Sequence, residues 1–450
     1  MQEYPLESLE VFFEICKIPH ASFKTELLKE WIKREAKKCG ALVSCDNAGN
    51  IHCVKGTPNL CLQGHYDMVY VSKNAEFSVI PKWVEKEGKT YLCAKDSSLG
   101  ADNGIAVASM LVALKACKNI ECLFTNDEEV GMIGANHIAL NLQAPFMLNC
   151  DSEDIDEVVC GCAGGYDLEC KMSCAAFPLP KDCVFFSLQT QGFMGGHSGI
   201  EIHKNIPNAI LVLAKIVESL VQAGAFVIQF NGGEKRNAIP VSAKCEIAIP
   251  KLALKACEEI LENAKLHCVV TKSGVKDSMY FDVLPLLQVV FSLENGVIVS
   301  ENAMPILSSN LGILRQEMQG NRVVMCCIAM GRGNRESLMR EHLNKERAKL
   351  EGLGAVVEVI DFYAPWEREE NLLVEKVFEI YKKHRKNPHL KSIHAGLECG
   401  ILKQKYPNIG FVSIGPTILH PHSVRECLDM ESLVSFDKIL KEILTQFDAF

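Results

Sequence analysis

Residues 120–131 read IECLFTNDEEVG. Ile120 to Thr125 is a short apolar run of the kind that forms a strand buried on both faces, and it ends directly on Asp127, Glu128 and Glu129. Adjacent carboxylates at the end of a buried strand are costly unless something nearby neutralises them. Similar runs lie on either side, Leu60-Cys61-Leu62 before it and Phe146 to Cys150 after it. Helical stretches fall between them, Ile105 to Ala116 and Met132 to Leu140. This alternation is the rhythm of a mixed, mostly parallel sheet with flanking helices, an α/β fold.

Further out, Leu27, Leu28, Trp31 and Ile32 recur at helical spacing until Gly40. A hairpin follows, Leu42 to Cys45 and Ile51 to Val54 around Asn47-Ala48-Gly49-Asn50. From Val184 the pattern changes. Strands are expected at Val184 to Leu188, Ala225 to Phe230 and Ala243 to Ile249, with helices at Pro207 to Gln222 and Leu252 to Ala264. A second set of similar order follows, with strands at Leu287 to Leu293, Gly312 to Gln316, Val323 to Ala329 and Val356 to Ile360, and a charged helix from Glu336 to Leu350. After Trp366 the first pattern returns, with a helix at Asn371 to Lys383, a strand at Ile409 to Ile414 and a closing helix at Glu431 to Phe447. The chain therefore reads as a discontinuous α/β domain, 1–183 and 366–450, interrupted by an inserted α+β domain at 184–365 that is either single or doubled.

Composition narrows the function. The net charge of -9 and the absence of a basic, aromatic-interleaved cluster argue against nucleic acid. The N-terminal stretch MQEYPLESLEVFFEICKIPH carries acidic residues where a signal peptide needs basic ones, and no apolar run reaches the roughly 18 residues of a membrane span. The expectation is a cytoplasmic protein without a membrane partner. The 21 cysteines are scattered, with no Cys-x-x-Cys pair, and many sit in apolar runs. That reads as reduced thiols packed as small hydrophobes rather than as a disulfide framework.

Five loops carry the chemistry. Gly64-His65-Tyr66-Asp67 follows one strand, Gly100-Ala101-Asp102-Asn103-Gly104 opens a helix, and Asp127-Glu128-Glu129 follows a second strand. Asp151 follows a third, and His420-Pro421-His422-Ser423 lies in the loop beyond Ile414. Each alone is ordinary: a hydrogen-bonded His-x-Asp pair, an Asp-Asn-Gly turn or cap, a solvated Glu-Glu helix start. Together they converge, because ligands of open α/β sheets bind outside the carboxyl ends of the strands. Imidazoles and carboxylates suit Zn²⁺. Two such ions bring +4, which three carboxylates and one hydroxide balance.

With those residues in hand the chain resembles the aminoacyl-histidine dipeptidases, also called peptidase D or cytosol non-specific dipeptidases, within the M20 metallopeptidases. The stretches that carry the likeness are GHYDMV, LGADNGIAVASM, DEEVGM, NCDSE, GCAGG, GGHSG, NGG, RNAIP, HAGLECG, VSIGPTI and PHS, spread over residues 15 to 445. GADNGI, RNAIP and HAGLECG separate this branch from the ordinary deacylases of the family.

The resemblance implies two Zn²⁺ per chain, with Mn²⁺ or Co²⁺ able to satisfy the same ligands. His65 and Asp151 would hold one ion, Glu129 and His422 the other, with Asp102 bridging. Asp67 would orient the His65 imidazole. Glu128 would be the general base, passing a proton from a metal-bridged water to the leaving amine of an unblocked dipeptide, Xaa-His among others. His197, in the inserted lid domain, would be an oxyanion donor, supplied across a homodimer formed through that domain or by a doubled insertion within one chain. Arg236 and Asn237 would hold the substrate carboxylate, and Gly396, Leu397 and Glu398 would line the pocket.

One departure bears on specificity. Relatives carry an arginine in a Cys-Leu-Ile-Arg-like run where this chain has Cys327-Ile328-Ala329-Met330, with Arg332 two positions later and Arg335 near. A two-residue shift keeps the strand face but moves the group by roughly 7 Å. The competing readings are an amidase or deacylase of N-acyl amino acids, and a catalytically inactive metal-binding scaffold.

Overall fold

The computed structural model describes residues 6–73, 76–274, 279–319 and 322–450; the first five residues of the stretch read for a leader lie outside them. The chain forms two compact units, one of Met1–Cys162, Trp366–Ser392 and Leu397–Phe450, the other of Ala163–Pro365 and Ile393–Gly396.

The first unit is built on an eight-stranded sheet. Its centre is parallel: Leu60–His65 pairs in parallel with Ile120–Thr125 on one side and Phe146–Asn149 on the other, and Gly410–Ser413 continues the parallel set. The hairpin Leu42–Cys45 and Ile51–Lys55 adds antiparallel strands at one edge. Leu60–His65 and Ile120–Thr125 are buried at every position, as strands covered by helices on both faces must be. Helix Ala101–Ala116 is buried on nearly all sides, and its alanines and glycine let it sit close to the sheet. Helix Met430–Gln446 starts at Asp429, whose carboxylate accepts from the Glu431 and Ser432 amides at 3.0 and 3.1 Å. Among the described residues no helix is long and apolar enough to cross a membrane.

The second unit holds a ten-stranded antiparallel sheet whose strand order exposes a duplication. One half runs Cys268–Lys272, Cys183–Thr190, Ala243–Pro250, Phe226–Gly232 across the sheet, which is fourth, first, third and second along the chain. The other half runs Val356–Tyr363, Gly164–Pro178, Arg322–Gly333, Met304–Gln319, again fourth, first, third and second. The halves meet where Gly232 faces Leu314. There a Cβ on Gly233, at φ +79°, would lie 1.8 Å from the Gly312 carbonyl oxygen, so only glycine fits.

This order explains two departures from the sequence reading. The first boundary falls at 162/163, not at 183/184, because the long strand Gly164–Pro178 belongs to the second unit: it is the first strand of a half interrupted by the other half. The stretch read as a strand at Leu287 to Leu293 is part of helix Leu284–Ser292, with a proline in its first turn. An apolar run of that length fits either period, and its place in the duplication decides.

Two smaller differences have local causes. The helix expected at Met132 to Leu140 shortens to Ile133–Asn136. Asn50 Nδ2 donates to the Gly134 carbonyl at 2.9 Å and the Ala139 amide donates to Asp46 at 3.0 Å, replacing the bonds that would continue it. The cysteines include one disulfide, Cys93–Cys427, between residues 334 apart in sequence, a pairing that spacing cannot reveal.

A half-buried carboxyl outside the site gives a stability test. Asp437 accepts from the Ser8 hydroxyl at 2.6 Å, and burial, only partly offset by that bond, pushes its pKa up to about 6 from 3.8. A folded-state pKa raised above the unfolded one stabilises below the unfolded value, and that contribution is lost as pH rises through the folded value. Asp437→Asn should therefore raise unfolding stability by about 1–2 kcal/mol at pH 8 and give no gain at pH 4. Denaturant melts at the two pH values check this.

Candidate metal centre

Period-2 geometry and the parallel register bring the loops of the first unit to one edge of its sheet. His65 closes the strand Leu60–His65 and is 1 % exposed. Its Nε2 lies 3.2 Å from Asp102 Oδ1 and 3.3 Å from Asp151 Oδ1. Its Nδ1 lies 3.0 Å from the Asp67 carbonyl oxygen and 3.4 Å from Asp67 Oδ1. His422 Nε2 lies 3.0 Å from Asp102 Oδ2 and 2.9 Å from Glu129 Oε2. Two clusters result, His65–Asp102–Asp151 and Asp102–Glu129–His422, each with ligand atoms within 4.8 Å of one another, and Asp102 belongs to both. His65, Glu128 and Glu129 form a third grouping, so Glu128 stands beside the pair of clusters.

Each of these side chains has a local support. Gly100, at φ +71°, turns the chain into the helix that carries Asp102, and a Cβ there would meet Met68 Sδ at 2.8 Å. The four amides of residues 99 to 102 donate to one carboxylate, Glu426, at 2.8 to 3.2 Å. Asp67 does more than face His65. Its carboxylate accepts from the Glu128 amide at 2.9 Å, the Glu129 amide at 3.4 Å and the Ser22 hydroxyl at 2.7 Å, so it shapes the turn that presents the two glutamates.

The donor set fits a divalent cation on its own evidence. If the His65 Nδ1–H donates to the Asp67 carbonyl, the Nε2 lone pair faces two carboxylates, an arrangement that needs a cation or a proton between them. Burial opposes a charged His65, yet Asp151 and Asp102 hold its pKa well above the usual imidazole range. Burial likewise opposes charge on His422, but Asp102 and Glu129 push it up to about 11. Burial, with neighbouring carboxylates, raises Asp151 and Glu129, and pushes Glu153 up to about 9. Glu129 Oε1 is buried with no hydrogen-bond partner. A cluster so short of positive charge is what a metal ion satisfies.

Glu398 departs from its expected place. It is fully buried and accepts from Gln63 Nε2 and the Thr125 hydroxyl, both at 2.6 Å. Gln63 Oε1 in turn accepts from Asn149 Nδ2 at 2.6 Å, and Asn149 Oδ1 accepts from the Asp151 amide at 3.3 Å. A side chain with no exposed surface supports the strand ends instead of lining a pocket. The partners of Glu426 and Glu398 carry no sequence signal, since they lie hundreds of residues away.

In the second unit, Gly196 and His197 pair with Ile239 and Ala238. His197 Nδ1 accepts from the Gly199 and Ile200 amides at 3.1 Å each, which places the proton on Nε2 in the neutral ring. Asn237 is exposed, and its carbonyl accepts from the Ser198 amide at 3.0 Å. Gly396 is half-buried. Arg236 donates to Asp167 at 2.7 Å and also to Asp361, so its charge is already met. Arg332 is the contrast. It is 4 % exposed, its Nη1 donates to the Tyr363 hydroxyl at 3.1 Å, its Nη2 lies 3.4 Å from Met330 Sδ, and its buried Nε has no acceptor.

Residues 61–446 match the model of peptidase family M20/M25/M40. The cytosol non-specific dipeptidase of Escherichia coli strain K12 is 34% identical, over 98% of this chain and 97% of that protein. The crystal structure of aminoacylhistidine dipeptidase from Vibrio alginolyticus superposes with a TM-score of 0.79 at 29% identity, covering 99% of this chain and 97% of that one. A tripeptidase from Staphylococcus aureus shares the fold, with a TM-score of 0.59 at 17% identity over 98% of each chain. A family match across most of the chain, with a relative of this identity over nearly its whole length, shows that the chain belongs to peptidase family M20/M25/M40.

Proposed function

We propose that this chain is a cytoplasmic di-zinc dipeptidase that cleaves unblocked dipeptides, Xaa-His among them. The observation that carries the reading is the pair of His–carboxylate clusters sharing Asp102 with Glu128 alongside. His65 and Asp151 would hold one ion, Glu129 and His422 the other, with Asp102 available to both. Such ions would supply Lewis-acid polarisation of the scissile carbonyl and ease ionisation of the attacking water.

Glu128 handles the proton. Burial pushes its carboxyl well above the usual range, and Asp151, Glu129 and Glu398 add to this against His65. A carboxylate with raised proton affinity can take a proton from water and return it to the leaving amine nitrogen. The hydrogen bond its backbone amide donates to the Asp67 carboxylate sets its position, while Glu129, one residue on, would serve as ligand. His197 presents an Nε2–H, the tautomer an oxyanion donor requires.

For the substrate carboxylate, the guanidinium with no hydrogen-bonded carboxylate is Arg332, not Arg236; Asp167 lies within the electrostatic reach of both but bonds Arg236. A buried guanidinium whose hydrogen bonds end on no carboxylate is well suited to an incoming one. His394, within its electrostatic reach, stays neutral: burial first, then Arg332 and His197, lower its pKa to about 3. It adds no second cation beside Arg332.

Removing metal with a chelator should abolish dipeptide cleavage, and Zn²⁺ should restore it. Glu128→Gln should retain two ions by metal analysis while kcat falls about 10²- to 10⁴-fold, whereas Glu129→Ala should lose metal. Turnover near the wild-type rate in Glu128→Gln would remove it from the base role. Turnover of N-acyl amino acids without dipeptides would move the assignment to a deacylase. Arg332→Met should raise KM for free dipeptides by about 10- to 100-fold and leave their C-terminal amides nearly unchanged. An equal rise for both substrates would rule out the carboxylate contact.

A further inference from the structure

The disulfide and the metal ligands occupy the two ends of one seam in the first unit. Cys93, in strand Lys89–Ala94, lies directly opposite Cys427, in strand Cys427–Asp429. Glu426, the residue before Cys427, holds the amides of residues 99 to 102 at 2.8 to 3.2 Å. At the far end His422 Nε2 lies 3.0 Å from Asp102 Oδ2. Segments 93–102 and 422–427 are thus joined by a covalent bond at one end, a four-amide carboxylate clamp in the middle and a shared ligand pair at the other. The other cysteines are free and mostly buried, and burial pushes many of their thiols up, which leaves them inert.

We infer that Cys93–Cys427 is a thiol–disulfide exchange site whose redox state sets how firmly the Asp102–Glu129–His422 cluster retains its metal ion. This rests on the reading that the cluster holds one. Cys427 is half-buried and Cys93 is 5 % exposed, so attack falls on the Cys427 sulfur. A glutathione thiolate displaces Cys93 as a thiolate and forms a mixed disulfide with Cys427; Cys93 takes a proton from water. A second glutathione thiolate then attacks the glutathione sulfur of that mixed disulfide, releasing Cys427 as a thiolate that is protonated in turn. Two electrons pass to the protein and the two glutathiones leave as glutathione disulfide. With the covalent end open, the Glu426 clamp, strand pairing and the His422–Asp102 contact are what hold the His422 segment against residues 99–102.

The test uses the zinc-loaded full chain. Samples are equilibrated in glutathione buffers from about −320 to −180 mV, the span of intracellular poises. The thiols are trapped by alkylation and the Cys93–Cys427 pair is quantified by peptide mass spectrometry. Parallel samples, desalted free of thiol, are challenged with a chelator while zinc release is followed. The expected result is a midpoint within that span, with one of two zinc ions leaving the reduced form about tenfold faster than the oxidised form. The double variant Cys93→Ser, Cys427→Ser should show the fast release in every buffer. Equal release from oxidised and reduced wild-type protein overturns the inference without use of the variant. So does a pair that stays fully oxidised or fully reduced across the span. Fewer than two zinc ions in the oxidised protein, with the midpoint still in place, would instead sink the metal reading, and this inference with it.

Discussion

Three carboxylates held against two imidazoles, one buried at His65 and one half-exposed at His422, form the constraint on which the first unit is organised. Asp102, Glu129 and Asp151 repel one another, and burial strengthens that repulsion. Holding them together requires positive charge at the centre and rigid support behind. The support is itself carboxylate chemistry turned toward backbone amides: Glu426 clamps residues 99 to 102, and Asp67 clamps residues 128 and 129. Amide donors stabilise these outer carboxylates without competing for a cation between the clusters. Glu398, behind the strand ends, completes the scaffold through Gln63, Thr125 and Asn149.

The second unit obeys a different logic. Its two halves repeat one strand order, and their seam passes through glycines where backbones come too close for any side chain. Its charges divide sharply. Arg236 is neutralised by two aspartates, while Arg332 is buried with a hydroxyl and a thioether for company. An arginine left in that condition marks a place for a ligand more clearly than a paired one does, because a buried cation with no hydrogen-bonded counter-charge is otherwise a net cost.

Much of the metal centre was legible because each of its parts is local. A strand of buried residues ending in a charged loop is visible in IECLFTNDEEVG, and five such loops in an α/β rhythm have one place to meet. The duplication was half legible: the order of elements repeats along the chain, but the first strand of one half lies ahead of the other half, so the boundary moved to 162/163. The helix Leu284–Ser292 was read as a strand because an apolar run that short carries no decisive period. The roles of Glu398, Glu426, Arg332 and Cys93 were not legible, since each depends on partners that only the fold brings near.

Sequence by itself determined the α/β architecture of the first unit and placed the candidate ligands at strand ends, because hydrophobic period and strand-end position are properties of neighbouring residues. Tertiary structure decided which carboxylates face the imidazoles and which clamp amides, which arginine is neutralised and which is not, and which two of 21 cysteines are joined. Those choices are set by distances between segments up to 334 residues apart, and burial converts such distances into pKa shifts and unmet charge.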